Sequence, residues 1–188
     1  MAPGLRAVRL GEDAHTLNHR RRRLLKIRFK RNGGDAGREV GKILGIAVRP
    51  GVREPMKPLD RATVIKDGGL EGDVPAHPDR GITFLSSVQW QEVTRSLGTV
   101  LLWHTRRANV LVECDGLAHL IGKTIEIGPI IIAIKGELDP CELMDRIRPG
   151  LRDALRAGCR GGVYGRVIEG GVFSVGDVIA LAQRGLRP

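Results

Sequence analysis

The stretch KGELDPCELMD, residues 135–145, carries a cysteine in an unusual setting. Free cysteine is among the most buried residue types. Cys141 instead follows Pro140 in a polar turn, with Glu137, Asp139, Glu142 and Asp145 around it. A run of apolar β-formers, Ile130 to Ile134, comes before it and stops at Lys135-Gly136, where glycine is expected to let the chain leave the sheet. Proline then fixes φ just ahead of the sulfur. A rigid loop at a sheet end presents a thiol to a reactant or a metal. Ionising a free thiol, whose pKa is ordinarily about 8.5, takes nearby positive charge, and the four local carboxylates do not supply it. The cations must come from elsewhere in the fold, or from a bound metal. The alternative is an inert loop cysteine.

Arginines are the candidate cations. TRRAN, residues 105–109, sets Arg106 and Arg107 ahead of a strand, beside the amide of Asn109. Arg80 opens RGITFLS, after a loop that contains Asp73, His77 and Asp79. CRGGVYGR adds Arg160 and Arg166 at a glycine-rich corner. Guanidinium forks bind phosphate or carboxylate bidentately, and backbone N–H groups in such corners add donors. An anionic ligand suits this inventory, although a single arginine at a strand end is more often simply solvated.

The chain has 188 residues, enough for one domain with a full core. No apolar stretch reaches the roughly 18 residues of a membrane span, and the N-terminus has no apolar signal core, so the cytoplasm is the expected location. Three cysteines (Cys114, Cys141, Cys159) without a CxxC pair argue against a disulfide framework or a structural zinc site. The formal charge is +10, but residues 1–40 hold 11 Lys/Arg against 4 Asp/Glu, a net of +7. The remaining 20 basic and 17 acidic residues leave +3. Residues 1–40 therefore read as a basic, disordered extension, with a nucleic-acid or membrane-surface arm as the alternative.

From Gly41 to residue 188 the pattern is that of one domain of short strands and turns. GKILGIAVRP, RATVIK, RGITFLS and RRANVLVE read as strands. Ser86 with Gln89 resembles a capping box, opening a helix that Gly98 stops. KTIEIG alternates, Gly128-Pro129 turns, and IIIAI is fully apolar. Met144, Ile147, Leu151 and Leu155 keep helical spacing, which Pro149-Gly150 must break into two short helices. GGVYGRVIEGGVFSVGDVIALA reads as two strands around Glu169-Gly170-Gly171, with a corner at Gly176-Asp177. Without regular βαβ alternation, these elements predict a mainly β fold: a closed or nearly closed β-barrel with a few short inserted helices.

The ordered series GLEGD, RGITFLS, RRANVLVE, IGKTIEIG, Pro140-Cys141 and GRVIEGGVFSVGD, spanning about residues 42–182, resembles the MOSC domain family, named for the C-terminal domain of molybdenum cofactor sulfurases. The resemblance implies a barrel that binds the molybdenum cofactor (molybdopterin), a pterin dithiolene with a terminal phosphate. By position it implies that Cys141 ligates molybdenum or carries sulfur for it, and that Arg80, Arg107 and Asn109 line the pocket, with Arg106, Asp73 and His77 beside them. Two departures stand out. The loop after Asp73 reads VPAHPDR, without the family's closer Asp-His spacing, and Cys114 stands where glycine is common.

Two activities follow from the resemblance. In one, the bound cofactor reduces an N-hydroxylated small molecule such as a hydroxylamino-purine or amidoxime. The chain has no flavin, haem or iron–sulfur motif, so a separate reductase must donate the electrons. In the other, Cys141 carries persulfide sulfur from a cysteine desulfurase, also a separate partner. A third reading, nucleic-acid binding through the arginine-rich extension, draws little support from a domain with 3% aromatic residues. Oligomeric state has no signature in the sequence.

Overall fold

Short β-branched runs cut by glycine corners produce ten strands among the residues described by the computed structural model, 37–182. They are β1 (Glu39–Val48), β2 (Lys57–Leu59), β3 (Arg61–Val64), β4 (Ile82–Ser86), β5 (Val110–Glu113), β6 (Thr124–Ile127), β7 (Ile130–Glu137), β8 (Val163–Glu169), β9 (Gly171–Ser174) and β10 (Val178–Leu181). β1 pairs with β5 along one edge and with β10 along the other. The order β1-β5-β4-β8-β7-β6-β10 therefore returns to β1, and seven strands close into a barrel. Closure removes the unpaired edges that make open sheets sticky. The expected β-barrel with few short helices is what forms.

One pairing in the ring is parallel, β4 with β5. A parallel pair needs a long crossover, and α1 (Ser87–Ser96) supplies it. The Ser86 hydroxyl caps α1 by accepting from the Gln89 N–H at 3.2 Å, and Gly98 lies past its end at φ +60°. Pro149-Gly150 divides α2 (Leu143–Ile147) from α3 (Leu151–Arg156), as the spacing predicts. Alternation fills the barrel with Ile43, Ile46, Phe84, Val110, Ile125, Ile127, Ile132 and Val167. A second cluster forms where Trp90 and Val93 of α1 meet Met144, Leu151 and Leu155 over Leu85. No helix among the described residues is long and apolar enough to cross a membrane.

Three local expectations change. β7 does not leave the sheet at Gly136. A bulge lies between Ile134 and Gly136, and pairing continues through Gly136–Tyr164 and Glu137–Val163. A Cβ at Gly136 would lie 2.9 Å from the Tyr164 hydroxyl, so glycine here admits a neighbouring side chain rather than releasing the backbone. The segment around Glu169-Gly170-Gly171 runs through three strands, not two. β9 crosses from β8 to pair with β3 as a separate two-stranded ribbon, because Phe173 packs opposite Ala62. β2, which holds Pro58, adds a short outer strand to the end of β1, and its proline would exclude it from a central position. The basic N-terminal run lies outside the described residues, apart from its last few positions, where β1 already begins at Glu39.

Gly162 joins the barrel wall to the loop that follows β7. Its carbonyl accepts from Leu138 N–H at 2.8 Å, its φ is +97°, and a Cβ there would collide with the Phe84 carbonyl oxygen. Gly162→Ala is expected to cost about 2 kcal/mol or more and lower Tm by several degrees. An unchanged melting curve would contradict this packing.

Candidate functional site

Leu138 and Pro140 are buried while Asp139 and Cys141 are exposed, so the loop after β7 alternates like a strand that has lost its partner. Two hydrogen bonds pin it. Leu138 N–H donates to Gly162 O at 2.8 Å, and Leu138 O accepts from Arg106 Nη2 at 2.7 Å. The Cys141 carbonyl then accepts from Met144 N–H at 3.0 Å, which starts α2. The sulfur is held outward by what its neighbours bury.

Arg106 is only 5% exposed. Burial pulls its pKa down to about 10, with the neighbouring Arg80 charge adding to the effect and Cys141 and Asp139 opposing it. It is still a cation at neutral pH. Its Nε is buried and has no hydrogen-bond partner. Arg107 sits in the left-handed region at φ +64° and donates from Nη2 to Val52 O at 3.1 Å. Burial and then Arg49 lower its pKa, while Cys141 and Asp73 oppose the shift. Consecutive guanidiniums thus bear on one exposed sulfur, and the cations that the local sequence lacks arrive from the turn before β5. Arg80, itself exposed, stands 5.7 Å from the centre of the Tyr164 ring, within cation–π range, and contributes to the field at Arg106.

Asp73 and Asn109 hold this arrangement together. Asn109 Oδ1 accepts from the Thr83 N–H at 3.1 Å and the Thr83 hydroxyl at 2.7 Å. Its Nδ2 donates to Ala47 O at 3.2 Å and Asp73 Oδ2 at 2.7 Å. Asp73 Oδ1 accepts from Arg49 N–H at 2.7 Å and Val74 N–H at 3.0 Å. Both side chains are engaged with the protein itself, and they tie β1, β4, β5 and the 70s loop into one unit. His77 is exposed and caps the 78–80 turn, its Nδ1 accepting from Asp79 N–H at 3.3 Å. Arg166 pairs with Asp67 at 2.7 Å and Asp79 at 3.5 Å, which braces the same turn, and these bonds raise its pKa.

Of the residues singled out in the sequence, Cys141, Arg80, Arg106 and Arg107 converge. Asp73 and Asn109 support them, and His77 belongs to the outer turn. Arg49 and Tyr164 were not anticipated. Tyr164 is the chain's only tyrosine and follows a buried valine in an alternating strand, a signal that it faces outward. Among the described residues no three His, Cys, Asp or Glu side chains gather to hold a metal ion. A metal at Cys141 would have to bring ligands of its own.

The three thiols differ in kind. Burial raises Cys114 and Cys159 to about 11, whereas Cys141 is exposed. Cys114 packs against the barrel core at the end of β5, as a strand-end residue should. Because these two pKa values lie above the unfolded 9.0, their contribution to stability is present below pH 9 and lost as pH rises through about 11. At pH 8, iodoacetamide should therefore modify Cys141 rapidly and the other two only after unfolding. Equal labelling of all three in the native protein would contradict the assignment. Asn109→Leu, which orphans the buried Thr83 groups and removes a partner from the half-buried Asp73 carboxylate, should cost about 2–4 kcal/mol in denaturant unfolding. A loss below about 1 kcal/mol would contradict its supporting role.

The comparisons agree with the barrel fold. A family model, MOSC domain, matches residues 71–180. No curated protein matches the chain. Among solved structures, the YuaD protein from Bacillus subtilis superposes with a TM-score of 0.63 at 22% identity, covering 74% of this chain and 93% of that one. YiiM from Escherichia coli does so with a TM-score of 0.60 at 17% identity, covering 77% and 71% respectively. YiiM from Geobacillus stearothermophilus gives 0.58 at 19% identity, over 79% and 76%. At these identities the three structures speak for the fold alone. The family match itself extends over more than half of the 188 residues, and this chain belongs to the MOSC domain family.

Proposed function

We propose that this protein binds a molybdenum cofactor around Cys141 and uses it to reduce N-hydroxylated compounds, with electrons from a separate reductase. The observation that carries the reading is the exposed Cys141 sulfur in the field of two consecutive guanidiniums, Arg106 and Arg107. The residues present suit the group. A thiolate is a good ligand for a sulfur-rich metal centre, and the pterin dithiolene would complete a ligand set that the protein's own side chains do not. The buried, unpartnered Nε of Arg106 and the neighbouring Arg80 offer donors for a phosphate.

When bound, the cofactor would supply a centre able to take an oxygen atom from nitrogen. The protein's part is to hold and to orient. Cys141 would be the protein ligand, Arg80 and Arg106 would fix the phosphate, and Tyr164 would keep Arg80 in place. Overall the N–O bond breaks, two electrons enter from the reductase, two protons are taken up, and the amine and water leave. The exposure of Cys141 also suits persulfide transfer from a cysteine desulfurase, and the same purified protein discriminates the two readings.

Protein made in a host that synthesises the cofactor should contain about one molybdenum per chain, as a single thiolate site implies. Supplied with electrons, it should reduce a hydroxylamino-purine, and Cys141→Ser should lower that activity by about 100-fold or more. Metal-free protein that accepts cyanolysable sulfur from a desulfurase would overturn the reductase reading in favour of the carrier.

A further inference from the structure

The three most exposed large apolar side chains among the described residues are Val100, Val52 and Leu102, at 97%, 74% and 68%. They lie on two segments, 49–57 and 99–107, that meet beside the candidate site. Leu102 opens the turn that delivers Arg106 and Arg107, and its carbonyl accepts from Thr105 N–H at 3.0 Å. The Val52 carbonyl accepts from Arg107 Nη2 at 3.1 Å. Arg106 donates to Leu138 O at 2.7 Å, in the loop that carries Cys141. Two consecutive arginines thus tie both apolar segments to the thiol loop.

Alternation along residues 100–103 fixes the direction of these side chains. Leu101 packs against the cluster around Trp90, whose Nε1 donates to Leu101 O at 3.1 Å. Trp103 packs against the same cluster and over Gly45, where a Cβ would lie 2.9 Å from its ring. Val100 and Leu102 are thereby turned to solvent together. Single exposed apolar residues need no explanation, but a group of them rimmed by polar residues marks an interaction surface. A small molecule is held in a cleft that covers most of its surface, and a side chain 97% exposed lines no cleft. The occupant is therefore a macromolecule. Aliphatic side chains offer nucleic-acid bases no stacking platform, which leaves a protein. Charge gives that protein its sign. The two segments hold Arg49, Arg53, Lys57, Arg106 and Arg107 against Glu54 alone, whereas residues 41–188 are nearly balanced, at 20 basic to 17 acidic. Arg53 and Lys57 are exposed.

We infer that Val52, Val100 and Leu102, with Arg53 and Lys57 beside them, form the docking surface for the electron donor, a protein whose acidic surface surrounds an apolar, cofactor-bearing edge. The inference rests on the proposed function for the partner's role as donor, but not for the surface or for the partner's charge. Redox partners meet through small, transient interfaces, for which a few aliphatic contacts in a basic surround suffice. Complementary charge then steers the approach.

The test is calorimetric titration of protein from a cofactor-competent host with a flavodoxin, a small acidic flavoprotein, alongside turnover of a hydroxylamino-purine with flavodoxin or reduced methyl viologen as the donor. Wild type should bind the flavodoxin, and about tenfold more weakly when salt is raised from about 0.05 to about 0.5 M. Leu102→Glu and Val100→Glu change solvent-facing side chains and should fold. Each should weaken binding and raise the KM for flavodoxin about tenfold or more, with viologen-driven turnover unchanged. Leu102→Lys, which loses the same apolar contact without the repulsion, should lose less than Leu102→Glu. Absence of flavodoxin binding by wild type overturns the inference, as does binding that both glutamate variants keep. Loss of viologen-driven turnover in those variants also overturns it, because it would make these side chains part of the catalytic site. Salt-sensitive flavodoxin binding that Leu102→Glu abolishes, in a protein inactive with either donor, would support the surface and count against the proposed reductase.

Discussion

A buried guanidinium organises the rim of this barrel. Moving a charge out of water costs several kcal/mol unless it is paired and hydrogen-bonded, and Arg106 is only 5% exposed. The fold tolerates this because Leu138 O accepts from Nη2, and because Cys141 and Asp139 counter the charge from the same loop. That one bond also fixes where the loop after β7 must run. With Leu138 turned inward by Arg106 and Gly162, Pro140 is buried and Cys141 faces out. Gly161 completes the fit, since a Cβ there would lie 2.5 Å from Leu138 O and 3.1 Å from Arg106 Nη2. The cation and the thiol are therefore one construction, and neither position has a reason without the other.

Around it the barrel divides labour by strand. The turn before β5 delivers Arg106, Arg107 and Asn109, Arg49 follows the end of β1, and β8 offers Tyr164 to Arg80. Asn109 lies among these groups as a structural joint. Its amide bonds to β4, β1 and the Asp73 loop at once, which keeps the arginines from relaxing away from one another. Asp139 and Asp73 only partly offset the clustered charge, an arrangement suited to receiving an anion from outside.

Much of this was legible in the residues, and the rest was hidden for identifiable reasons. Local signals carried through: the Ser86–Gln89 cap, the break at Pro149-Gly150, the alternation of Ile125 and Ile127, and a sulfur flanked by polar groups after Pro140 all act within a few residues. Partner choice did not. A period of two says which face a residue takes but not which strand lies beside it, so neither the parallel β4–β5 pairing nor the departure of β9 to β3 could be read off. Gly136 misled because a glycine after an apolar run fits a strand end and a bulge equally well. Arg49 carries no local signal, because its tie to the site runs through Asp73, 24 positions away, which Asn109 also holds.

The most direct test of Cys141's place in this arrangement is X-ray absorption at the molybdenum edge, on protein from a cofactor-competent host and on its Cys141→Ser variant. If the rim thiolate is a ligand, the variant's molybdenum should show one sulfur neighbour fewer and one light-atom neighbour more than the wild type's. Identical sulfur shells in the two proteins would mean that the metal binds without Cys141, and would contradict the central claim.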